Sequence, residues 1–439
     1  MAPYDEAMEI TPAELRARVR WAAQQGHEGY LWPEVPHADW RAGLREIERV
    51  TRAVLRAGGT GLWAEAVGTE LSTVGPIRLE APAGPRALGI AAFTSGMGPL
   101  LAWWIGRGRI EADRSVSALL DVHLRHGRER ADRMHAAMLA ALTLLDASGI
   151  RPVLIKSAHT ANVYFPDPGT RPAADIDFAV DEPSFAAAER CLVTGGYGLA
   201  KRSRKPAKSD WIPPGAPTEL RSLEFSHAAS PFTLELHGGL DRDFFGVRTV
   251  RLGPFVPGDL RAAPAGLASA RVLAQPLLAA LLAIHASEDL HQLQLVRIVE
   301  LVGVLRADEA RGELDWSALA GRLARHDALR FAFPALELAE RLVPGTVDAG
   351  LLALMRKAAT PRMRRVLDRV GPGTAQRLEG MSLDERFVWA SGPIETARRF
   401  WRMVRPPGAD VPLLFRTYTA RLLRLVRGRV GIRRAGDES

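Results

Sequence analysis

Two aspartates separated by one residue stand in a segment whose side chains alternate between polar and apolar. Residues 175–180 read DIDFAV, and this alternation predicts a β-strand with Ile176 and Phe178 on one face and both carboxylates on the other. Residues at i and i+2 of a strand lie about 6.6 Å apart. Asp175 and Asp177 therefore have the spacing of a carboxylate pair that holds a divalent cation.

A third carboxylate stands in a second alternating segment. Residues 233–237 read TLELH, which predicts a strand with Glu235 on its polar face, one strand spacing from the aspartates if the two strands pair. Two like charges about 6 Å apart repel by roughly 3 kcal/mol at an effective dielectric near 20, so a cation has to compensate them. Mg²⁺ (or Mn²⁺) prefers oxygen ligands and binds proteins through carboxylates together with substrate phosphates. The alternative interpretation is a solvent-facing strand edge without a metal.

Two basic residues and two histidines accompany these carboxylates. Lys156 and Arg171 would neutralise phosphate charge during phosphoryl chemistry, although surface ion pairing explains them equally well. His237 would hydrogen-bond near Glu235 or contact an acceptor molecule, and a purely structural histidine is the alternative. His285 lies in an apolar helical pattern, which favours a structural role.

The basic residues give the chain a formal net charge of +8 and a pI near 10.1. Such a charge suits a phosphate-rich partner, either a nucleotide, a nucleic acid or an anionic membrane surface. Only five of the 58 basic residues are lysines, so a compositional bias towards arginine explains the charge as well. The run 201–208, KRSRKPAK, is predicted to be a loop beside the carboxylates that either steers anionic substrates or remains solvated. Nucleic acid binding remains open, since no known reading module is recognisable.

The elements that must position these residues alternate between strand and helix. An apolar run at 152–156 predicts a strand, 157–164 a helix or turn, and 182–194 a helix that ends at Gly195 and Gly196. Another strand is predicted near 223–226. Helical periodicity precedes this region at 112–145, ended by Gly149, and returns from about 267, most clearly at 273–290, 295–306 and 316–325.

The length of 439 residues predicts two or three domains. Residues 11–56 have helical spacing with a helix start at TPAE, and a Gly- and Pro-rich loop is predicted at 71–85. Residues 417–434 interleave leucine with arginine, which predicts a solvated amphipathic helix or one that lies on an anionic surface. The predicted organisation is a helical N-terminal extension (1–85), a helical lead-in (86–128), a catalytic domain (129–245), a helical C-terminal domain (246–416) and a basic amphipathic tail (417–439).

Twenty uncharged residues at 87–106 have the length of a membrane span. Their glycines and Pro99 favour two buried helical pieces broken near 96–99, so no transmembrane segment is expected. A single cysteine, Cys191, excludes an intramolecular disulfide, and the N-terminus lacks the pattern of a secretion signal. We therefore expect a cytoplasmic protein.

Several motifs together resemble a known family. The segments LIKS at 154–157, YFPDPGTR at 164–171, DID at 175–177 and ELH at 235–237 are similar to those of the uncharacterised bacterial nucleotidyltransferase-like family of the polymerase-beta superfamily. His285, the helix at 295–300 and LDW at 314–316 are similar to its helical half, so the likeness extends from about Gly89 to about Leu423. It implies an α+β fold, a small mixed sheet flanked by helices, with largely helical N- and C-terminal regions.

The resemblance also implies a chemistry. Asp175 and Asp177 would be metal ligands, Glu235 the third catalytic and metal-binding carboxylate, and Ser157 would replace the glycine that lets the backbone approach a triphosphate. The implied reaction moves a nucleoside monophosphate from a nucleoside triphosphate to a small molecule, peptide or RNA, with Mg²⁺ or Mn²⁺. Two alternatives remain open: a catalytically degenerate protein of the same fold that binds a nucleotide or a partner, and a scaffold anchored to a membrane by 87–106 or by the tail.

Overall fold

The computed structural model describes residues 35–57, 75–204, 207–218, 227–264, 267, 270–288, 290–376 and 381–404. The predicted strand near 223–226 and the predicted tail helix lie outside these residues, as does most of the predicted N-terminal helical region. The helices are α1 (His37–Ala57), α2 (Pro85–Thr94), α3 (Gly98–Gly106), α4 (Arg114–Asp146), α5 (Ser157–Val163), α6 (Glu182–Thr194), α7 (Leu277–Glu288), α8 (Leu295–Ala310), α9 (Trp316–Arg325), α10 (Leu329–Leu342), α11 (Ala349–Ala358), α12 (Pro361–Leu367), α13 (Leu383–Arg386) and α14 (Pro393–Val404).

The strands are β1 (Ile77–Leu79), β2 (Ile110–Ala112), β3 (Val153–Leu154), β4 (Asp175–Ala179), β5 (Gly198–Arg204), β6 (Ala207–Ile212), β7 (Thr233–His237), β8 (Arg242–Phe244), β9 (Arg248–Val250), β10 (Leu260–Ala262) and β11 (Arg271–Leu273). Seven of them form a mixed sheet in the order β10-β11-β3-β4-β7-β6-β5. β4 and β7 are parallel neighbours, whereas β3 runs antiparallel to β4 and β6 runs antiparallel to β7. A mixed sheet flanked by helices is an α+β fold, so the predicted fold class is confirmed.

One face of this sheet is apolar and carries the core. Ile176 and Phe178 of β4 and Leu234 and Leu236 of β7 are almost fully buried in one hydrophobic cluster. Residues from α4 and α6 complete the same cluster: Met134, Met138, Ala141, Leu142, Leu145, Ala188 and Leu192. Because side chains alternate along a strand, this arrangement forces Asp175, Asp177, Glu235 and His237 onto the opposite face.

The long helix α4 also fixes the turn that precedes β4. A short 3₁₀ turn at Pro168–Thr170 lies against α4, and a Cβ atom added to Gly169 would lie only 2.7 Å from the backbone of Arg128. A Cβ atom added to Gly127 would in turn collide with the carbonyl oxygen of Gly169. Glycine is required at both positions because the two backbones touch directly.

The uncharged run at 87–106 forms α2 and α3. The two helices meet at an angle of 114°, and most of their residues are buried. Within the described part of the chain, no single helix is long and apolar enough to cross a membrane, and α2 with α3 passes that test of length and composition only as a bent pair. The prediction of two buried helical pieces is confirmed.

The segment 71–85, predicted to be a loop, contains the short strand β1, which pairs with β2. Two further predictions of local structure were wrong. The described residues of the basic run 201–208 lie in the antiparallel strands β5 and β6 and not in a loop, because β6 gains a complete ladder of hydrogen bonds with β7. Residues 271–273 form β11, which pairs with β3, and the helix that was predicted from 273 begins at Leu277. In both segments, long-range strand pairing outweighs the local sequence pattern.

The chain divides into two compact units, residues up to 242 with 250–388, and residues 243–249 with 389 onwards. The described part of the smaller unit is held by an edge-to-face contact of Phe244 with Trp389, whose ring centres are 4.7 Å apart. Arg398 of α14 donates a hydrogen bond of 3.1 Å to the carbonyl oxygen of Val247. The carboxylate site lies in the larger unit.

Candidate active site

The polar face of the sheet brings two of the predicted carboxylates side by side. In the parallel pairing of β4 with β7, Asp177 is opposite Glu235, and Asp175 is opposite Thr233. Asp177 is fully buried, whereas Glu235 is partly exposed. The register that buries the four apolar side chains on one face therefore also sets the carboxylates together on the other.

The two oxygens of Asp177 have different surroundings. Its Oδ1 accepts a short hydrogen bond from the Lys156 ammonium and lies 3.0 Å from Nε2 of His237. Its Oδ2 is buried and has no hydrogen-bond partner. A buried carboxylate oxygen without a partner is costly, because the folded protein does not replace the water that it loses. Asp177 is thus charged, buried and incompletely paired.

Glu235 adjoins the same two residues, Lys156 and His237, and also Lys208. Its Oε2 lies 2.7 Å from Nζ of Lys208, 3.8 Å from Nζ of Lys156 and 3.5 Å from Nε2 of His237. Lys208 also lies 3.7 Å from Asp210. Lys208 belongs to the run that was predicted to be a loop, and its position on β6 directly opposite His237 makes it part of the site.

These contacts displace the pKa values of the three carboxyl groups in different directions. Burial and the neighbouring charge of Asp177 raise the pKa of Asp175 to about 7. Burial would also raise the pKa of Asp177, but Lys156 and His237 outweigh burial and hold that pKa below its ordinary range. For Glu235, burial is likewise outweighed, chiefly by His237, and the pKa falls to about 2. The site thus keeps Asp177 and Glu235 ionised.

Asp177, Glu235 and His237 form a group that fits a metal ion. Each offers a ligand atom, and these atoms all lie within 4.8 Å of one another. The partnerless Oδ2 of Asp177 supports this interpretation, since a cation would satisfy it. Among the described residues the group contains His237 in place of Asp175, which lies on the same face two residues before Asp177. The predicted metal set of Asp175, Asp177 and Glu235 remains a prediction.

Lys156 and Ser157 lie where β3 passes into α5. Lys156 has a φ angle of 51° and precedes the first residue of α5. A positive φ is uncommon for a residue with a side chain and marks a constrained backbone. This conformation coincides with a buried ammonium aimed at Asp177. Ser157, also buried, begins α5 beside the carboxylates, as the proposed phosphate-approach position would require.

Arg171 is bound to another residue of the protein. Its guanidinium lies 2.8 Å and 3.3 Å from the two carboxylate oxygens of Glu300 on α8, and Thr160 of α5 donates a further hydrogen bond to Glu300. Arg171 also donates a hydrogen bond of 2.6 Å to the carbonyl oxygen of Pro172. The predicted nucleotide-binding residue therefore lines the site while engaged in a buried ion pair.

Two cavities meet at these residues. The carboxylate cavity, of about 350 Å³, lies between the polar face of the sheet and helices α7 and α8. The second cavity, of about 400 Å³, lies between α4, α5 and the start of β4, and its wall includes the apolar side chains of Met134, Met138 and Ile176. Both cavities are lined by Ser157, Arg171, Pro172 and Asp175.

His285 of α7 also lines the carboxylate cavity, and its expected structural role remains a prediction. Burial, followed by the positive charges of Lys156, Arg297 and Arg242, holds its pKa well below the ordinary value. His285 is therefore neutral at pH 7. The three charges that act on it show that basic side chains converge on this wall of the cavity.

Several residues of the cavity were not singled out from the sequence. Lys208 follows the strand alternation of β6, which was a usable signal. No local pattern marks Arg242. Arg297 and Glu300 lie in the helix at 295–300 that carries part of the family resemblance, but only the tertiary fold shows that they line the cavity.

A scan against protein families matches residues 87–344, more than half of the chain, to a family described as an uncharacterised nucleotidyltransferase. The chain belongs to this nucleotidyltransferase family. The match contains every residue that lines the two cavities and ends well before Leu423, where the sequence resemblance was expected to end. A search of curated proteins and a search of solved structures each return no significant match.

Membership defines the activity at a coarse level. A nucleotidyltransferase takes a nucleoside triphosphate as substrate and uses a divalent metal, and the group of Asp177, Glu235 and His237 provides a place where this chain could hold one. The family assignment thus agrees with the chemistry that the carboxylates alone suggested.

Proposed function

We propose that this chain transfers a nucleoside monophosphate from a nucleoside triphosphate to an acceptor, in a reaction that requires Mg²⁺ or Mn²⁺. A nucleophilic oxygen of the acceptor forms a bond to the α-phosphorus, the bond from that phosphorus to the bridging oxygen breaks, and pyrophosphate leaves. The observation that carries the proposal is the buried Asp177, which adjoins Glu235 and His237 and has one carboxylate oxygen without a partner.

The residues of the site have separate roles in this proposal. Asp177 and Glu235 would hold the metal, with His237 or Asp175 completing the set, and a metal bound there would supply positive charge to the phosphates. Lys156 pairs with Asp177 and lines the carboxylate cavity together with Ser157. In this proposal the Lys156 ammonium and the backbone of Ser157 would bind phosphate oxygens.

In this proposal, the second cavity binds the part of a reactant that is not phosphate. Its apolar floor of Met134, Met138 and Ile176 and its polar rim, which includes His135 and Asn162, suit an organic group. It reaches the carboxylates through Asp175 and Ser157. In this proposal, residues 129–245 carry the chemistry, and the helical region 246–416 shapes the choice of acceptor, which is a small molecule, a peptide or an RNA.

The direct test is to incubate the purified chain with α-labelled ATP, Mg²⁺ or Mn²⁺ and a cell extract, and to identify the labelled product by mass spectrometry. We expect label on one class of acceptor together with release of pyrophosphate. The variant Asp177→Asn should abolish labelling, whereas Asp146→Asn, at the exposed end of α4, should label as the wild type does. If Asp177→Asn labels at the wild-type rate, the proposal is wrong.

One observation favours a second candidate, a degenerate member of the family that binds nucleotide without transferring it. Lys156 supplies Asp177 with a positive charge, and Lys208 does the same for Glu235, so these pairs are compensated without a metal. Calorimetry with ATP and Mg²⁺ beside a pyrophosphate-release assay separates the two candidates. Binding without turnover across small-molecule, peptide and RNA acceptors would favour the degenerate protein.

A further inference from the structure

Arg242 is a buried cation that lines the carboxylate cavity. Arg242 is only 8% exposed, and its Nε and Nη2 atoms are buried and have no hydrogen-bond partner. Removing a guanidinium from water without giving it an acceptor opposes folding. Such a group is retained where a ligand supplies the missing acceptors, and it lines a cavity in which a ligand has room.

The other charges of the cavity indicate what that ligand is. Five basic and five acidic residues line it, so its formal charge is balanced: Lys156, Arg171, Lys208, Arg242 and Arg297 against Asp175, Asp177, Glu235, Glu288 and Glu300. Lys156 contacts Asp177, Lys208 contacts Glu235 and Arg171 contacts Glu300. Arg242 has no acidic partner among the described ion pairs, and Arg297 of α8 faces the same cavity.

A balanced lining favours a ligand that brings both signs of charge. A polyphosphate with its divalent cation does so, since the cation suits the side of Asp177 and Glu235, and the phosphate oxygens suit the guanidinium groups. A guanidinium is planar and presents its N–H groups as a fork that matches two oxygens of one phosphate. A cavity of about 350 Å³ has room for a chain of two or three phosphates.

We infer that Arg242, together with Arg297, forms the subsite for the β- and γ-phosphates of the nucleoside triphosphate, the part that leaves as pyrophosphate. The inference rests on the proposed function and changes the prediction made from the sequence, which gave the phosphates to Lys156, Ser157 and Arg171. Arg171 is a weaker candidate because Glu300 and the carbonyl oxygen of Pro172 already accept its hydrogen bonds. His285 lines the same cavity but is neutral at pH 7, so it contributes no positive charge to the subsite.

The test measures binding and not turnover. Isothermal titration of the full chain with inorganic pyrophosphate and with tripolyphosphate, each with Mg²⁺, is compared for the wild type, Arg242→Gln and Arg190→Gln. Arg190 is an exposed arginine of α6 outside both cavities, so its variant controls for the loss of one positive charge. We expect Arg242→Gln to weaken binding by about ten- to a hundredfold, the range for a charge-assisted contact, and Arg190→Gln to leave it unchanged.

If Arg242→Gln does not fold, two other variants test the inference. Circular dichroism and a thermal melt identify that case, and Arg242→Lys and Arg297→Gln then replace it. Arg242→Lys retains the charge but not the fork, so we expect it to lose part of the affinity. Wild-type affinity in these folded variants, or no binding of either phosphate by the wild type, would overturn the inference.

Failure of this inference and failure of the proposed function give different results. If pyrophosphate binds in an Arg242-dependent way but no acceptor is ever labelled, the transfer reaction is wrong and the phosphate subsite stands. If label is transferred and Asp177→Asn prevents it, but Arg242→Gln binds pyrophosphate normally, the transfer reaction stands and the subsite is elsewhere.

Discussion

Asp177 and Asp308 are both completely buried aspartates of the larger unit, and they differ in how their carboxylates are satisfied. Oδ2 of Asp308 accepts hydrogen bonds from Tyr164 at 2.9 Å and from Gln275 at 2.6 Å, and Oδ1 accepts one from Arg311. Both oxygens of Asp308 therefore have partners within the protein. At Asp177, Lys156 and His237 share one oxygen, and the other has none.

In our proposal, this difference distinguishes a carboxylate that stabilises the fold, Asp308, from one that binds a ligand, Asp177. Asp308 connects α8 to Tyr164 and to Gln275, and nothing remains for a substrate to satisfy. Asp177 carries its charge with one buried oxygen that has no hydrogen-bond partner. The two residues are equally buried, so the hydrogen-bond partners of each carboxylate oxygen are what distinguishes them.

The largest effect that we expect concerns turnover. Asp177→Asn should slow nucleotidyl transfer by more than about a hundredfold, because single contacts that stabilise a transition state are worth about 3 kcal/mol. Its fold should persist, since Lys156 stays near Glu235, 3.8 Å away. Asp308→Asn should retain the rate within a few-fold. Rates are measured as pyrophosphate release, and equal losses in the two variants would remove the distinction between the residues.

The second effect concerns stability. Asp308→Ala should lower the free energy of unfolding by about 3 kcal/mol, because Tyr164, Gln275 and Arg311 lose their acceptor together. Urea unfolding followed by circular dichroism measures the change. Asp121→Ala, at an exposed position of α4, provides the control and should alter stability little. A loss below about 1 kcal/mol for Asp308→Ala would show that this network contributes little to the fold.

The third effect is the response to a metal. Mg²⁺ or Mn²⁺ at about a hundred times its dissociation constant should stabilise the wild type by roughly 2.7 kcal/mol, since it binds only the folded chain. The thermal midpoint should therefore rise by several degrees, and EDTA should reverse the rise. Asp177→Asn should show no such rise, whereas Asp308→Asn should show it in full. A rise in both variants would place the cation elsewhere.

The smallest effect concerns His159, a buried polar residue that lies outside both cavities. It tests whether a buried polar group without a hydrogen-bond partner always indicates a ligand site. His159 is fully buried, packs on Tyr164 with ring centres 5.8 Å apart, and has no partner at either ring nitrogen. Burial, aided by Arg261, lowers its pKa to about 3 from an ordinary value of 6.5. His159 is therefore neutral at pH 7, which makes its missing partners far cheaper than those of the charged Asp177.

This depressed pKa predicts a direction for the pH dependence. The stability that neutral His159 contributes is present above pH 6.5 and is lost as the pH falls from 6.5 towards 3, by about 2 kcal/mol at pH 5. His159→Phe should lack this part of the acid destabilisation while binding Mg²⁺ normally. Melting curves between pH 5 and 8 measure it, and an unchanged slope in the variant would contradict the burial argument.

The elements that the sequence predicts well are those that local periodicity determines. The strand that carries Glu235 and the helix at 182–194 have the predicted bounds, and the strand that carries Asp177 ends one residue earlier than predicted. Each of these elements alternates or repeats with one buried face. Burial of Phe178 and the leucines of β7 on one face determines which side chains share the opposite face, whereas the parallel direction of the two strands was not predicted. The catalytic and nucleotide-binding roles of these residues remain predictions.

The rest of the site depends on contacts between distant parts of the chain. Glu300 lies 129 positions after its partner Arg171, and Arg242 has no local pattern that marks it. The charge run at 201–208 reads as a solvated loop because its residues are individually hydrophilic. Its pairing with β7 provides hydrogen bonds that a view of the run alone omits. A local sequence pattern does not predict such pairing between distant strands.

The backbone contact of Gly127 with Gly169 has a consequence for how this family member could change. Because no side chain separates α4 from the 168–170 turn, no repacking of neighbouring residues could make room for a bulkier one at either position. An added methyl group would have to push the turn away from the helix, and Arg171, the next residue along, would move with it. The two glycines thus fix the position of Arg171 in the wall that the two cavities share. Substitutions that change the shape of the carboxylate cavity would have to occur on the opposite side, in α7 and α8.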